Sequence, residues 1–187
     1  IRDHSQLDGA SDHGVSEALY LTDPEDNGVE IYRDFPRAEW PRSADGSVRM
    51  GTYRLDLDPL DAAATGESAA PPGTDVGHVH LEVTSLDAFE DFYVDRLGFE
   101  RQVAMPDALF VSAGGYHHHV GANTWNGRSE PVGDGGLSWF EVVVPDARSL
   151  DAIQDRVSAG QYAMTESDDG IIVTGPDDVE VRFRAET

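Results

Sequence analysis

A short stretch, residues 77–83, combines apolar residues with side chains that bind metal ions. Neighbouring residues of a β-strand point to opposite faces, so one face of this stretch carries His78, His80 and Glu82. The other face is apolar and anchors the strand in a hydrophobic layer. Imidazole and carboxylate groups on a rigid strand predict a metal site. A second cluster, His117 to His119, favours this interpretation over the alternative, an exposed polar strand face.

The composition restricts the class of partner. The chain of 187 residues has 36 Asp and Glu against 13 Lys and Arg, a formal net charge of -23. Such a surface repels nucleic acids and anionic membranes, so we exclude both as partners. Its self-repulsion is strongest at low salt, and we therefore expect a halophilic protein from a salt-rich cytoplasm.

Cysteine is absent, which excludes disulfide and thiolate chemistry and fits a cytoplasmic protein. We find no signal peptide and no apolar run long enough to cross a bilayer. The first residue is Ile1 and not Met, so we expect that some chain upstream of it is missing.

The histidine strand begins a βαβββ module. Ser85 caps the following helix, whose apolar residues recur at helical spacing, and Gly98 ends it. Three more strands are expected at residues 99–104, 108–113 and 116–125.

The same order of elements is repeated in the last part of the chain. A strand at residues 138–144 precedes a helix that Asp146 caps and Gly160 ends. Three strands are then expected at residues 162–167, 170–174 and 179–184. The last strand has a glutamate, Glu180, as its second residue.

The N-terminal part predicts only the second half of such a module. Residues 15–21 and 28–33 form a hairpin around Asp-Pro and Asn-Gly turn signals, and residues 1–12 are expected to be a loop or a frayed edge. Glu30 takes the position that Glu180 has in the last module. The opening strand and helix of this first copy are expected before Ile1.

The predicted class is therefore α+β, with repeated βαβββ modules. We divide the chain into the C-terminal half of an incomplete module, a linker with a short strand at 53–57, and two complete modules: residues 1–36, 37–75, 76–127 and 136–187.

These modules resemble the vicinal oxygen chelate superfamily, which includes glyoxalase I, extradiol dioxygenases and bleomycin- or fosfomycin-resistance proteins. The resemblance is sharpest at residues 12–32, 77–81 and 108–119, which are similar to the four-module catechol 2,3-dioxygenase-like branch. It implies cupped, half-barrel mixed sheets with helices outside, paired modules and a divalent metal ion inside the cup.

The resemblance also implies roles for individual residues. Glu30 matches the carboxylate ligand of a last strand, and His78 matches the imidazole ligand of a first strand. The remaining histidine ligand would lie upstream of Ile1, and His80 is the spare ligand in this chain.

A distal acid/base histidine is implied in the cluster His117, His118 and His119. Strand alternation would place His117 and His119 on one face and His118 on the other, which leaves the choice open. Tyr20 matches a tyrosine that hydrogen-bonds the substrate, whereas we expect His13 to support the hairpin.

Three functions follow as alternatives. The first is a dioxygenase that cleaves a small catechol or hydroquinone with O2, using Fe(II) or Mn(II). The second is a glyoxalase-like lyase or isomerase with Ni(II) or Zn(II). The third is a metal-free protein that binds a small ligand, as resistance proteins do. A homodimer is expected for each, because paired modules of this superfamily also form across subunits.

Overall fold

The computed structural model describes residues 7–67, 69–133 and 135–186, and the chain divides between Asp75 and Val76 into two compact units. The first unit contains a four-stranded antiparallel sheet of order β3-β2-β1-β4. Its strands are β1 Gly9–Asp12, β2 Ser16–Thr22, β3 Gly28–Asp34 and β4 Tyr53–Arg54. A short helix, α1 Asp58–Ala63, follows them.

The hairpin β2–β3 matches the prediction, and its turn depends on Asp23. The Asp23 carboxylate accepts hydrogen bonds from the backbone of Glu25 and Asn27, each at 2.8 Å. Of the two alternatives predicted for residues 1–12, a loop or a frayed edge, the loop was wrong for Gly9–Asp12, which forms β1. Residues 1–6 lie outside the described residues. The strand β1 has no apolar alternation, so its backbone pairing with β2 and β4 identifies it.

The second unit contains two mixed four-stranded sheets with the same topology. In the first, the order is β5-β8-β7-β6, with β5 and β8 parallel and the other pairs antiparallel. Its strands are β5 Val79–Glu82, β6 Glu100–Met105, β7 Ala108–Ser112 and β8 Val120–Asn123.

The other sheet has the order β10-β11-β12-β9, and here β9 and β12 are the parallel pair. Its strands are β9 Trp139–Val144, β10 Met164–Ser167, β11 Gly170–Thr174 and β12 Glu180–Ala185. In each sheet, a helix connects the first strand of the module to the second. The α+β class and the βαβββ order predicted from the sequence are therefore confirmed.

Both helices of this unit begin as predicted. Ser85 Oγ accepts a hydrogen bond from the Ala88 backbone N–H at 3.2 Å at the start of α2, Leu86–Glu90. Asp146 Oδ1 accepts one from the Ser149 backbone N–H at 2.8 Å at the start of α3, Ala147–Ser158. The helix α2 continues as a π-helix over Asp91–Arg96, which the sequence pattern did not predict.

One hydrophobic core joins the helices to the two sheets of the second unit. Phe89 of α2 is buried in it, as are Phe92 and Tyr93 of the π-helix that continues α2. Val111 and Val181 from the sheets are buried in the same core. At the sheet edge, the Thr84 backbone N–H donates to the Asp177 carboxylate at 3.2 Å, which links one module to the other. This core holds β5 and β8 in place, and the candidate site lies where these two strands begin.

Candidate metal centre

Three histidines come together where β5 and β8 begin. His78 immediately precedes β5, and His117 and His118 lie in the segment that leads into β8. Because β5 and β8 are parallel neighbours, residues that precede them meet at the same end of the sheet. One ligand nitrogen from each ring lies within 4.8 Å of the others.

The segment before β8 is a turn and not the strand that we predicted for residues 116–125. The strand β8 covers only Val120–Asn123, and Gly114 and Gly115 before it have φ angles of 63° and 66°. Ser112 Oγ donates to the Tyr116 carbonyl at 2.7 Å and holds this turn against β7. Strand alternation therefore does not apply to His117, His118 and His119, and the predicted pairing of His117 with His119 on one face was wrong.

The three rings are closely packed. The ring centroids of His78 and His118 are 4.0 Å apart, and those of His78 and His117 are 4.9 Å apart. His117 is fully buried. The Tyr116 hydroxyl lies 3.1 Å from His78 Nε2 and fixes the orientation of that ring.

The spacing of two of the donor atoms fits a divalent metal ion. His117 Nδ1 and His118 Nδ1 are 3.0 Å apart. Two nitrogens bound at a right angle about 2.1 Å from one ion are separated by about 3.0 Å, although an N–H···N hydrogen bond has the same length. Imidazole is a suitable ligand for iron, zinc, nickel and copper. The group of His78, His117 and His118 could therefore hold such an ion.

The third residue of the cluster, His119, lies outside this group. Its Nδ1 accepts a hydrogen bond from the Ala113 backbone N–H at 3.2 Å, and its ring lies against Tyr116 and Phe99. The backbone of His119 is hydrogen-bonded to β7 and to β5. Its N–H donates to the Val111 carbonyl, and its carbonyl accepts from the Val79 N–H. This residue connects the turn to the sheet.

The other two ligand candidates of the histidine strand have different partners. His80 Nε2 is 3.2 Å from Asn123 Nδ2, and the residue is exposed. Glu82 accepts a hydrogen bond from Asn126 Nδ2 at 3.0 Å and lies 3.4 Å from Arg128 Nε. Of the residues on this predicted face, the structure brings only His78 into the histidine group.

The candidate site residues of the first unit, Tyr20 and Glu30, are hydrogen-bonded in a series that also includes His13. Tyr20 and Glu30 are opposite each other in β2 and β3, and their side chains are hydrogen-bonded. The Tyr20 hydroxyl is also 2.6 Å from His13 Nε2, and His13 Nδ1 is 2.7 Å from the Gly51 carbonyl. His13 thus connects the hairpin to the chain that follows it, as expected for a supporting residue.

Burial has the largest effect on the pKa values of Tyr20 and Glu30. Burial, followed by the charge of Glu30, raises the pKa of Tyr20 to about 12. Burial also raises the pKa of Glu30, against the opposing effects of His13 and the hydrogen bond from Tyr20. The ligand role of Glu30 and the substrate contact of Tyr20 stay predictions.

Sequence reasoning missed Tyr116 and Asn123, which hold two of the histidine rings. Asn123 could have been found, because it is the polar residue of the otherwise apolar strand Val120–Asn123. Tyr116 could not, since its contact with His78 depends on the turn at Gly114 and Gly115.

Comparisons with known proteins identify relatives of this chain. No protein-family model matches it. It is 41% identical over 181 residues to a catechol-2,3-dioxygenase of Bacillus subtilis (strain 168), which covers 93% of this chain and 64% of that protein. The chain thus spans less than two thirds of the length of this relative.

A solved structure shares the fold of this chain. A candidate dioxygenase from Bacillus subtilis subsp. subtilis strain 168 superimposes with a TM-score of 0.59 at 14% identity, covering 98% of this chain and 55% of that one. A lactoylglutathione lyase from Agrobacterium tumefaciens gives a TM-score of 0.46 at 18% identity, covering 62% of this chain and 96% of that one.

Within the described residues, no helix is long and apolar enough to span a membrane. The repeated βαβββ topology and the 41% identical relative agree with the resemblance found in the sequence motifs. These findings support the vicinal oxygen chelate superfamily for this chain.

Proposed function

We propose that this protein is a metal-dependent dioxygenase that cleaves the ring of a small catechol or hydroquinone with O2, with Fe(II) held by His78, His117 and His118. The observation that carries the proposal is the convergence of three imidazole nitrogens within 4.8 Å of one another. The relative named catechol-2,3-dioxygenase supports the choice of reaction. Mn(II) is the alternative metal for this chemistry.

A metal ion at this position would supply open coordination sites for the two oxygens of the diol and for O2. The residues of the chain would orient it. Tyr116 holds the His78 ring by its hydroxyl, and such outer partners typically change metal affinity 10- to 100-fold. Phe110, whose ring is 5.1 Å from that of His118, offers an apolar surface for an aromatic substrate.

The sequence implied a different ligand set, in which His78 acts with Glu30 and an upstream histidine. The two sets share His78 and differ in their other two ligands, so single variants of His118 and Glu30 distinguish them. The acid/base role predicted for one residue of the cluster His117 to His119 also stays a prediction. His119 is the member that would be available for it if the other two bind the metal.

The test is the metal content of protein purified anaerobically in high salt, together with O2 uptake on addition of catechol. We expect about one iron per chain, loss of most of it in His78→Ala and His118→Ala, and retention in Glu30→Ala and in the control His119→Ala. Loss of metal in Glu30→Ala and retention in His118→Ala would instead support the ligand set implied by the sequence.

A second function is favoured by the donor set itself. Three neutral imidazoles are also the ligands of catalytic zinc, which acts as a Lewis acid without O2. A lyase or isomerase with Zn(II) or Ni(II) would convert a glutathione hemithioacetal with no O2 uptake. Absence of any bound metal, with affinity for an aromatic ligand, would instead indicate a metal-free binding protein.

A further inference from the structure

The amide of Asn123 has a defined orientation. The Trp125 backbone N–H donates to Asn123 Oδ1 at 3.1 Å. A backbone N–H can only donate, so the oxygen of this buried amide must face Trp125 and the nitrogen must face His80. Asn123 Nδ2 lies 3.2 Å from His80 Nε2.

This orientation fixes the tautomer of His80. The amide nitrogen is a donor, so His80 Nε2 accepts the hydrogen bond and the proton of the ring is on Nδ1. Among the residues that the structure describes, none hydrogen-bonds to His80 Nδ1, and His80 is exposed. The Nδ1–H donor is therefore accessible to a ligand that reaches this ring.

Aromatic rings connect His80 with the histidine group. The ring centroid of His118 is 5.1 Å from Phe110, that of Phe110 is 5.5 Å from His80, and that of His80 is 5.6 Å from Trp125. Trp125 is 59% exposed. Gly121 permits this packing, because a Cβ there would lie 3.0 Å from Phe110 and 3.4 Å from His80.

Resting on the proposed function, we propose that His80 is a substrate-binding residue that selects catechols with a carbonyl group on the side of the ring away from the diol. His78 and His80 are two residues apart in extended chain, which separates them by about 6.6 Å, close to the span of a substituted benzene ring. A diol held at the histidine group would thus place a carbonyl oxygen near the Nδ1–H donor. The net charge of -23 favours a neutral carbonyl over a carboxylate.

The test compares two probes on protein loaded with Zn(II), which binds diols without turnover. Calorimetry gives the Kd of catechol and of 3,4-dihydroxyacetophenone for the wild type, His80→Leu and His80→Asn, and the metal content of each is measured. Leu removes the donor, whereas the Asn amide places an N–H close to the position of Nδ1. The electronic effect of the carbonyl group on the diol enters the ratio of the two Kd values in every variant, so it cancels when the ratio of a variant is divided by that of the wild type.

We expect the preference for the acetophenone to fall about three- to tenfold in His80→Leu, the effect of one hydrogen bond, and to be recovered in His80→Asn. The same ratio in His80→Leu as in the wild type, or no recovery in His80→Asn, would overturn the role of His80 and leave the metal centre intact. Loss of zinc in His80→Leu would make His80 a ligand and overturn it too. Failure of the wild type to bind zinc or catechol would overturn the proposed function, and this inference with it.

Discussion

Single hydrogen bonds decide which nitrogens of the site can act. One nitrogen of each of three rings has a hydrogen-bond partner. Tyr116 is the partner of His78, Asn123 that of His80, and the Ala113 backbone that of His119. The sequence indicated that these residue types could bind a metal, but the partners of His78 and His119 depend on the turn before β8. The histidines could therefore be predicted as a group, whereas their separate roles could not.

A residue-scale prediction concerns Asp146, whose carboxylate caps α3. Hydrogen bonds from the Ser149 side chain and backbone hold the pKa of Asp146 below its ordinary value of 3.8. A group with a lowered pKa in the folded state contributes stability above its unfolded pKa and loses it as the pH falls through the folded pKa. The variant Asp146→Asn caps about equally well and does not titrate.

We therefore expect the wild type and Asp146→Asn to have similar urea midpoints at pH 7, and the wild type to lose more stability than the variant between pH 5 and pH 2.5. Asp151→Asn, which removes a carboxylate elsewhere on the same helix, is the control for the change in charge. Parallel pH profiles for the wild type and Asp146→Asn would contradict the assigned cap.

At the scale of elements, the pattern of apolar residues predicted the helices and strands that pack into the core, but not those defined by backbone hydrogen bonds alone. The helices with their caps and the strand Gly170–Thr174 follow from periodicity and turn residues. The strand Gly9–Asp12 and the π-helix Asp91–Arg96 do not, because backbone pairing defines the first and a local change of helical hydrogen bonding defines the second. Residues 116–119 looked like strand because they continue directly into β8.

An element-scale prediction concerns Gly170, at the start of β11. It pairs with Arg184 of β12, and a Cβ at this position would overlap the backbone carbonyl of Phe183. Since a backbone carbonyl cannot rotate away, Gly170→Ala should lower the free energy of unfolding by about 1–3 kcal/mol. Urea unfolding of the variant measures this.

The matched control is Gly28→Ala at the start of β3, where a Cβ would have no atom within 4 Å. We expect this substitution to change the stability by less than about 0.5 kcal/mol. Equal effects of the two substitutions would show that the β11–β12 pairing tolerates a side chain at Gly170.

At the scale of the whole molecule, the fold repeats while the candidate site does not. The two complete modules have the same strand order and the same parallel pair. Only the first has histidines before and within its opening strand, since Trp139–Val144 carries none. Repetition of the fold could thus be read from the sequence pattern, whereas the chemistry depends on side chains that one copy has and the other lacks.

The net charge of -23 leads to a prediction for the molecule as a whole. Carboxylates on one compact surface repel each other, and salt screens this repulsion over a Debye length that falls from about 30 Å at 0.01 M to about 3 Å at 1 M. We expect the Tm to rise with NaCl, with most of the gain below about 1 M because screening is then nearly complete. Thermal unfolding followed by circular dichroism measures this, and sucrose of equal osmolality is the control for effects other than screening. A Tm that does not change between 0.01 and 1 M NaCl would show that the acidic surface does not limit the stability of this fold.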